Sequence, residues 1–289
     1  MKILVILEDE IIQSLFQNRY VELMPEVEIQ FGEYNDFYHA EIRAGLYEMV
    51  ICDLDEGMEK VVSFYEESGN QTPFLFITDW EYSRYLGLLK EGKITNIYPK
   101  GLLIEDYKTS AKMIQNLVKG SIFGIHNYTE YPIFLETMTI HYSSEIRKLS
   151  FKINFLFPFL NKEKAMQIKL SFYEIASNAF FHSHSLEKGS ESYIRDPIYI
   201  SFAEDSEKII FSITDKKGTL DRHTVLYWLF KRFHNEKNLP EEHGRGFFLM
   251  KNLIDNLIIN IDQNKRTEFI AIFYKNDYMG EKSLLIHQI

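Results

Sequence analysis

Four residues between Ser171 and His182 are spaced to share one helix face. Ser171, Glu174, Asn178 and His182 follow one another at intervals of three or four, with no Pro or Gly from Lys169 to His184. Ile168, Phe172, Ile175 and Ala179 form the apolar stripe that such a helix would bury. A carboxylate and a carboxamide one turn apart can work as a pair. The Asn178 oxygen can hold a hard cation such as Mg2+, and Glu174 can orient or deprotonate a nucleophile. Taken alone, the same stripe reads as the wet face of an amphipathic helix. Two later stretches add chemistry to it. A strand-like run, residues 209–214, ends on Asp215 and a turn, Lys216-Lys217-Gly218. A carboxylate there can accept a hydrogen bond from an exocyclic amine. Further on, Gly244-Arg245-Gly246 opens an apolar helix, where glycine amides and the helix dipole can meet phosphate.

A second set of polar residues lies in the first 100 positions. Short apolar runs at 2–7, 27–31, 49–52, 74–77 and 95–98 alternate with helix-like segments, as expected of a parallel sheet covered on both faces. Such sheets place their chemistry at the carboxyl ends of the strands. The residues there are Glu8 and Asp9, Asp53, Thr78 and Lys100. Three carboxylates repel one another and favour a divalent cation. Asp53 then reads as a carboxylate nucleophile toward a phosphoryl donor, with Lys100 neutralising charge and Thr78 bonding a phosphoryl oxygen. The plainer reading is that the acids cap helices and the Thr sits in a turn.

An amphipathic helix over 104–120 closes this first part, and 121–136 reads as a linker with some apolar anchoring. A strand around His141, a helix from Ser143 to about Phe157 stopped by Pro158, and two hairpins (198–203 with 208–214, 257–262 with 268–274) follow. Residues 219–243 read as a lid, with Tyr227, Trp228, Phe230 and Phe233 as packing or lid surface.

Residues 1–120 resemble a two-component receiver domain. The resemblance implies a flavodoxin-like, doubly wound α/β fold, with Glu8, Asp9 and Asp53 binding Mg2+, Asp53 as phosphoacceptor, Thr78 as switch hydroxyl and Lys100 as the lysine. Gly101 stands where Pro is usual, and Glu56-Gly57 replaces the commoner apolar-Pro pair. Residues 137–289 resemble the GHKL group of ATP-binding domains, an α+β sandwich, and within it the anti-sigma-factor serine kinases. The resemblance implies that Glu174 is the general base and Asn178 a Mg2+ ligand. It makes Asp215 and Gly218 part of the adenine motif, and Gly244, Arg245 and Gly246 the phosphate loop. Lys217 departs from the pattern, standing where a Gly with positive φ is expected.

The cofactors implied are ATP and Mg2+. The partners implied are an upstream histidine kinase and a downstream anti-sigma antagonist or sigma-type protein, with a homodimer in keeping with both families. The resulting expectation is a cytoplasmic response regulator whose receiver controls a serine/threonine kinase-like domain. The alternative is a catalytically inactive partner-switching protein. A net charge of −10 argues against nucleic-acid binding, and no apolar run is long enough for a membrane span. A single cysteine, Cys52, suits a reducing compartment. His141 lacks the acidic neighbour of a histidine-kinase phosphoacceptor, and His182 and His184 are two apart and diverge on a helix, which disfavours zinc.

Overall fold

A computed structural model describes residues 1–69, 72–79, 96–129, 131–187, 190–226, 250, 252–276 and 282–288. The chain divides into two compact units, Met1–Ile122 and Phe123–Ile289.

In the first unit, strands β1 (Lys2–Ile6), β2 (Glu28–Phe31), β3 (Met49–Asp53), β4 (Phe74–Thr78) and β5 (Ile97–Pro99) pair in the order β2-β1-β3-β4-β5. Among the described residues all these pairings are parallel. The central strands are buried on both faces, which is why they read as unbroken apolar runs. Helix α1 (Glu10–Leu15) starts where the Asp9 carboxylate accepts from the Ile11 and Ile12 amides, and a π-helical turn, Phe16–Tyr20, prolongs it. Helix α2 (Asp36–Arg43) is capped in the same manner by Asn35. Helix α3 (Met58–Glu67) follows a 3-10 turn, Leu54–Glu56, and Gly57 at φ 128°. The helix expected over 104–120 is α5 (Tyr107–Val118), and a separate short helix, α4 (Lys100–Glu105), precedes it with Asp106 between them at φ −119° and ψ 49°.

In the second unit, β6 (Phe134–Tyr142), β7 (Tyr193–Glu204), β8 (Lys208–Asp215), β9 (Asn256–Asp262), β10 (Arg266–Tyr274) and β11 (Ser283–Gln288) form a mixed sheet in the order β11-β9-β10-β8-β7-β6. Only the β11–β9 pairing is parallel among the described residues. Helices α6 (Ser143–Leu156) and α7 (Lys162–Ser183) cover one face, where Phe172 of α7 packs on Phe202 and Phe211 at centroid distances of 5.4 and 5.8 Å. Side chains alternate along a strand, so Thr267 points to this helix face and Glu268 to the other. The segment expected as a linker packs on that other face. Its 3-10 turn, Ile125–Tyr128, buries Ile125 and Tyr128, and the Gly124 amide donates to the buried Glu268 carboxylate at 2.9 Å. Residues 227–249, and with them Gly244, Arg245, Gly246 and the aromatic stripe, lie outside the described residues.

Candidate functional site

The first site gathers at the carboxyl ends of β3, β4 and β5. Parallel pairing sets Asp53 beside Ile77 and Thr78 beside Pro99, so Asp53 and Thr78 end two adjacent strands and Lys100 directly follows the third. All three are buried. The Lys100 ammonium lies 2.6 Å from Asp53 Oδ2 and 2.7 Å from Asp55 Oδ2. Asp53 Oδ1 accepts from the Asp55 amide at 2.9 Å, closing the 3-10 turn. The Asp55 carboxylate also accepts from the Thr78 hydroxyl at 2.7 Å and from the Asp79 amide at 3.0 Å.

These contacts set the protonation tendencies. Burial raises the Asp53 carboxyl above its ordinary value despite Lys100. Asp55 is also desolvated, but the Lys100, Thr78 and Asp79 donors hold it below the ordinary range. Lys100 stays charged because its two carboxylate partners outweigh its own desolvation. Glu56 accepts the Glu8 amide on Oε1, while its buried Oε2 has no hydrogen-bond partner among the described residues. Burial, with Asp53 and Glu8 nearby, pushes its carboxyl up to about 7.

The three acids expected to share a cation each have another partner. Asp9 spends its carboxylate on the α1 cap, and the exposed Glu8 reaches Lys60 at 3.6 Å. Asp53 is held by Lys100. Among the described residues, no group of three or more His, Cys, Asp or Glu comes together that could hold a metal ion. Sequence reasoning passed over Asp55 and read Glu56 only as a departure from a family pattern. The signal of both was position, two and three residues after Asp53.

In the second unit, Glu174 and Asn178 sit half-buried on α7, while Ser171 of the same stripe is fully buried, its hydroxyl without a hydrogen-bond partner among the described residues. A cleft of about 370 Å³ opens on the neighbouring stripe, along Tyr173, Ser177 and Phe181, with Arg147, Lys148 and Phe151 of α6 opposite. It does not include Glu174 or Asn178. At the end of β8, Asp215 is buried and raised above its ordinary value by that burial. Its Oδ1 accepts from the Lys217 and Gly218 amides at 2.9 and 3.0 Å, and its Oδ2 accepts from none of the described residues. Directly across the β8–β10 ladder stands Thr267, fully buried, its hydroxyl also without a hydrogen-bond partner among the described residues. Sequence reasoning missed Thr267 because only the strand register brings it to Asp215.

One expectation about the turn after Asp215 is revised. Lys217 is not in the left-handed region, and its ammonium bonds Asp196 at 2.7 Å. Gly218 carries the positive φ, 57°, and a Cβ there would meet the backbone at Asp262, Lys265 and Arg266 at 2.6–2.7 Å. Gly218 is thus demanded by the β9–β10 turn that it touches.

Comparison with protein-family models and with curated proteins found no match. Among the described residues, no helix is long and apolar enough to cross a membrane.

Proposed function

We propose that this chain is a signalling protein in which a phosphoacceptor unit, centred on Asp53, governs an ATP-binding, serine/threonine kinase-like unit. The observation that carries the reading is the contact of Lys100 with Asp53 at 2.6 Å, beside Thr78, on three adjacent parallel strand ends. The strand order is also that of flavodoxin-like doubly wound sheets. An oxygen of Asp53 attacks the phosphorus of a phosphohistidine on a partner kinase. The new O–P bond forms as the P–N bond breaks, and the imidazole leaves with a proton from solvent. Lys100 offsets charge on the transferring group, and Thr78 donates to one of its oxygens. A hard cation suits the surplus of carboxylate charge, which the unpartnered Glu56 oxygen also marks. Asp53 and Glu56 are the two carboxylates that would hold Mg2+, a cation that takes one or two protein carboxylates and would neutralise phosphoryl oxygens there.

For the second unit, the supporting observation is the Asp215–Thr267 pair. A carboxylate oxygen and a hydroxyl, both without partners among the described residues, match the amino edge of adenine. The carboxylate accepts from the exocyclic amine and the hydroxyl donates to the ring nitrogen beside it. Asn178 would hold the Mg2+ that accompanies ATP, and Glu174 would take the proton from a Ser or Thr hydroxyl of the partner. The test of the first unit is treatment with acetyl phosphate and Mg2+, followed by intact mass. One phosphoryl group is expected on the wild type and none on Asp53→Asn; equal labelling of both would remove Asp53 from the role. For the second unit, Thr267→Val is expected to weaken binding of a fluorescent ATP analogue. Undiminished binding would sink the adenine assignment.

A further inference from the structure

We propose that the Asp55 carboxylate is a built-in occupant of the pocket that a phosphoryl group on Asp53 would fill, so that Asp55 has to swing out before Asp53 reacts. The inference rests on the phosphoacceptor reading of Asp53. Three donors converge on this one side chain: the Lys100 ammonium at 2.7 Å, the Thr78 hydroxyl at 2.7 Å and the Asp79 amide at 3.0 Å. They come from the ends of two different strands and the residue after one of them, so the convergence is tertiary. A local turn contact would not produce it. Lys100 lies between the Asp53 and Asp55 carboxylates, so a group bonded to Asp53 would meet the donors that Asp55 now holds. An oxyanion and a carboxylate cannot share them, both for want of donors and because like charges at that distance repel. Asp55 has somewhere to go. Its side chain is 23% exposed against 2% for Asp53, and two residues on Gly57 sits at φ 128°, where only Gly is unstrained.

The consequence is a slow phosphoacceptor with an internal competitor. With acetyl phosphate, an Asp53 oxygen bonds to phosphorus as the P–O bond to the acetyl group breaks, and acetate leaves as the anion. The test is a time course of that reaction by intact mass on the full chain with Mg2+, comparing wild type, Asp55→Ala and Asp55→Asn, each checked for folding by circular dichroism. Charge-assisted hydrogen bonds are the ones being displaced, so both variants are expected to be labelled at least about tenfold faster than wild type. Equal or slower labelling of both overturns the occupant proposal and leaves Asp53 as acceptor. Absence of Asp53 labelling in all three proteins would instead remove the acceptor reading on which the proposal stands. A donor-free readout separates the two further. The Asp79 amide proton, now bonded to a carboxylate, is expected to move upfield in Asp55→Ala, and an unmoved resonance contradicts the contact itself.

Discussion

Lys100 is the residue on which the first site turns, because among the described residues it alone pairs with the buried charge of Asp53 and the half-buried charge of Asp55. Lys100→Met leaves two neighbouring carboxylates without a cation and is expected to cost about 3 kcal/mol of stability, read from urea unfolding. Adding Asp53→Asn to Lys100→Met should recover part of that loss, and no recovery would mean that the charge pairing is not what the lysine supplies. Asp215 carries the opposite balance. Burial raises its carboxyl in the folded state, so the native protein holds that proton longer than the unfolded chain. Its contribution to stability therefore falls as pH rises from the unfolded carboxylate value through the higher folded one. Asp215→Asn keeps an acceptor for the Lys217 and Gly218 amides and removes the buried charge. It is expected to lose ATP binding while matching or exceeding wild-type stability at neutral pH, with its advantage vanishing in acid. Loss of stability at neutral pH would show that the charge itself holds the turn.

The turn elements explain what was and was not legible beforehand. The strands of the first unit announce themselves as apolar runs, and parallel pairing brings together Asp53 and Thr78 at the ends of two of them and Lys100 just after a third. The break between α4 and α5 lies at Asp106, where no Pro or Gly signals a stop. Asp55 and Thr267 escaped because each gains its meaning from a partner distant in sequence, across a tertiary contact or a strand register. Residues 121–136 read as a linker with some apolar anchoring. Ile122, Ile125 and Tyr128, three apart, were the apolar signal that this stretch is buried. Gly218, expected among the nucleotide contacts, also has a packing role, because the backbone of the β9–β10 turn leaves no room for a Cβ. Gly218→Ala is expected to destabilise by about 1–3 kcal/mol through its φ of 57° and that close approach. A neutral result in thermal unfolding would contradict the packing argument.

At the scale of the whole molecule, the boundary between the units falls between Ile122 and Phe123. A fragment beginning at Phe123 keeps the Gly124 amide on Glu268, whereas one beginning at Thr137 leaves that buried carboxylate short of a donor and uncovers the face under Tyr128. The longer fragment is therefore expected to be the more stable by at least about 2 kcal/mol in urea unfolding, and equal midpoints would show that 123–136 is dispensable. The functional claim is that one unit governs the other, which amounts to a coupling free energy between Asp53 and the nucleotide site. Couplings of this kind typically change an affinity by about fivefold or more. The most direct measurement is titration of the full chain with a fluorescent ATP analogue and Mg2+, before and after acetyl phosphate treatment, with Asp53→Asn treated alongside. Saturable binding, with a Kd that shifts at least about fivefold on phosphorylation of the wild type and stays fixed in Asp53→Asn, is the expected result. No saturable binding, or one Kd for all four samples, would contradict the account.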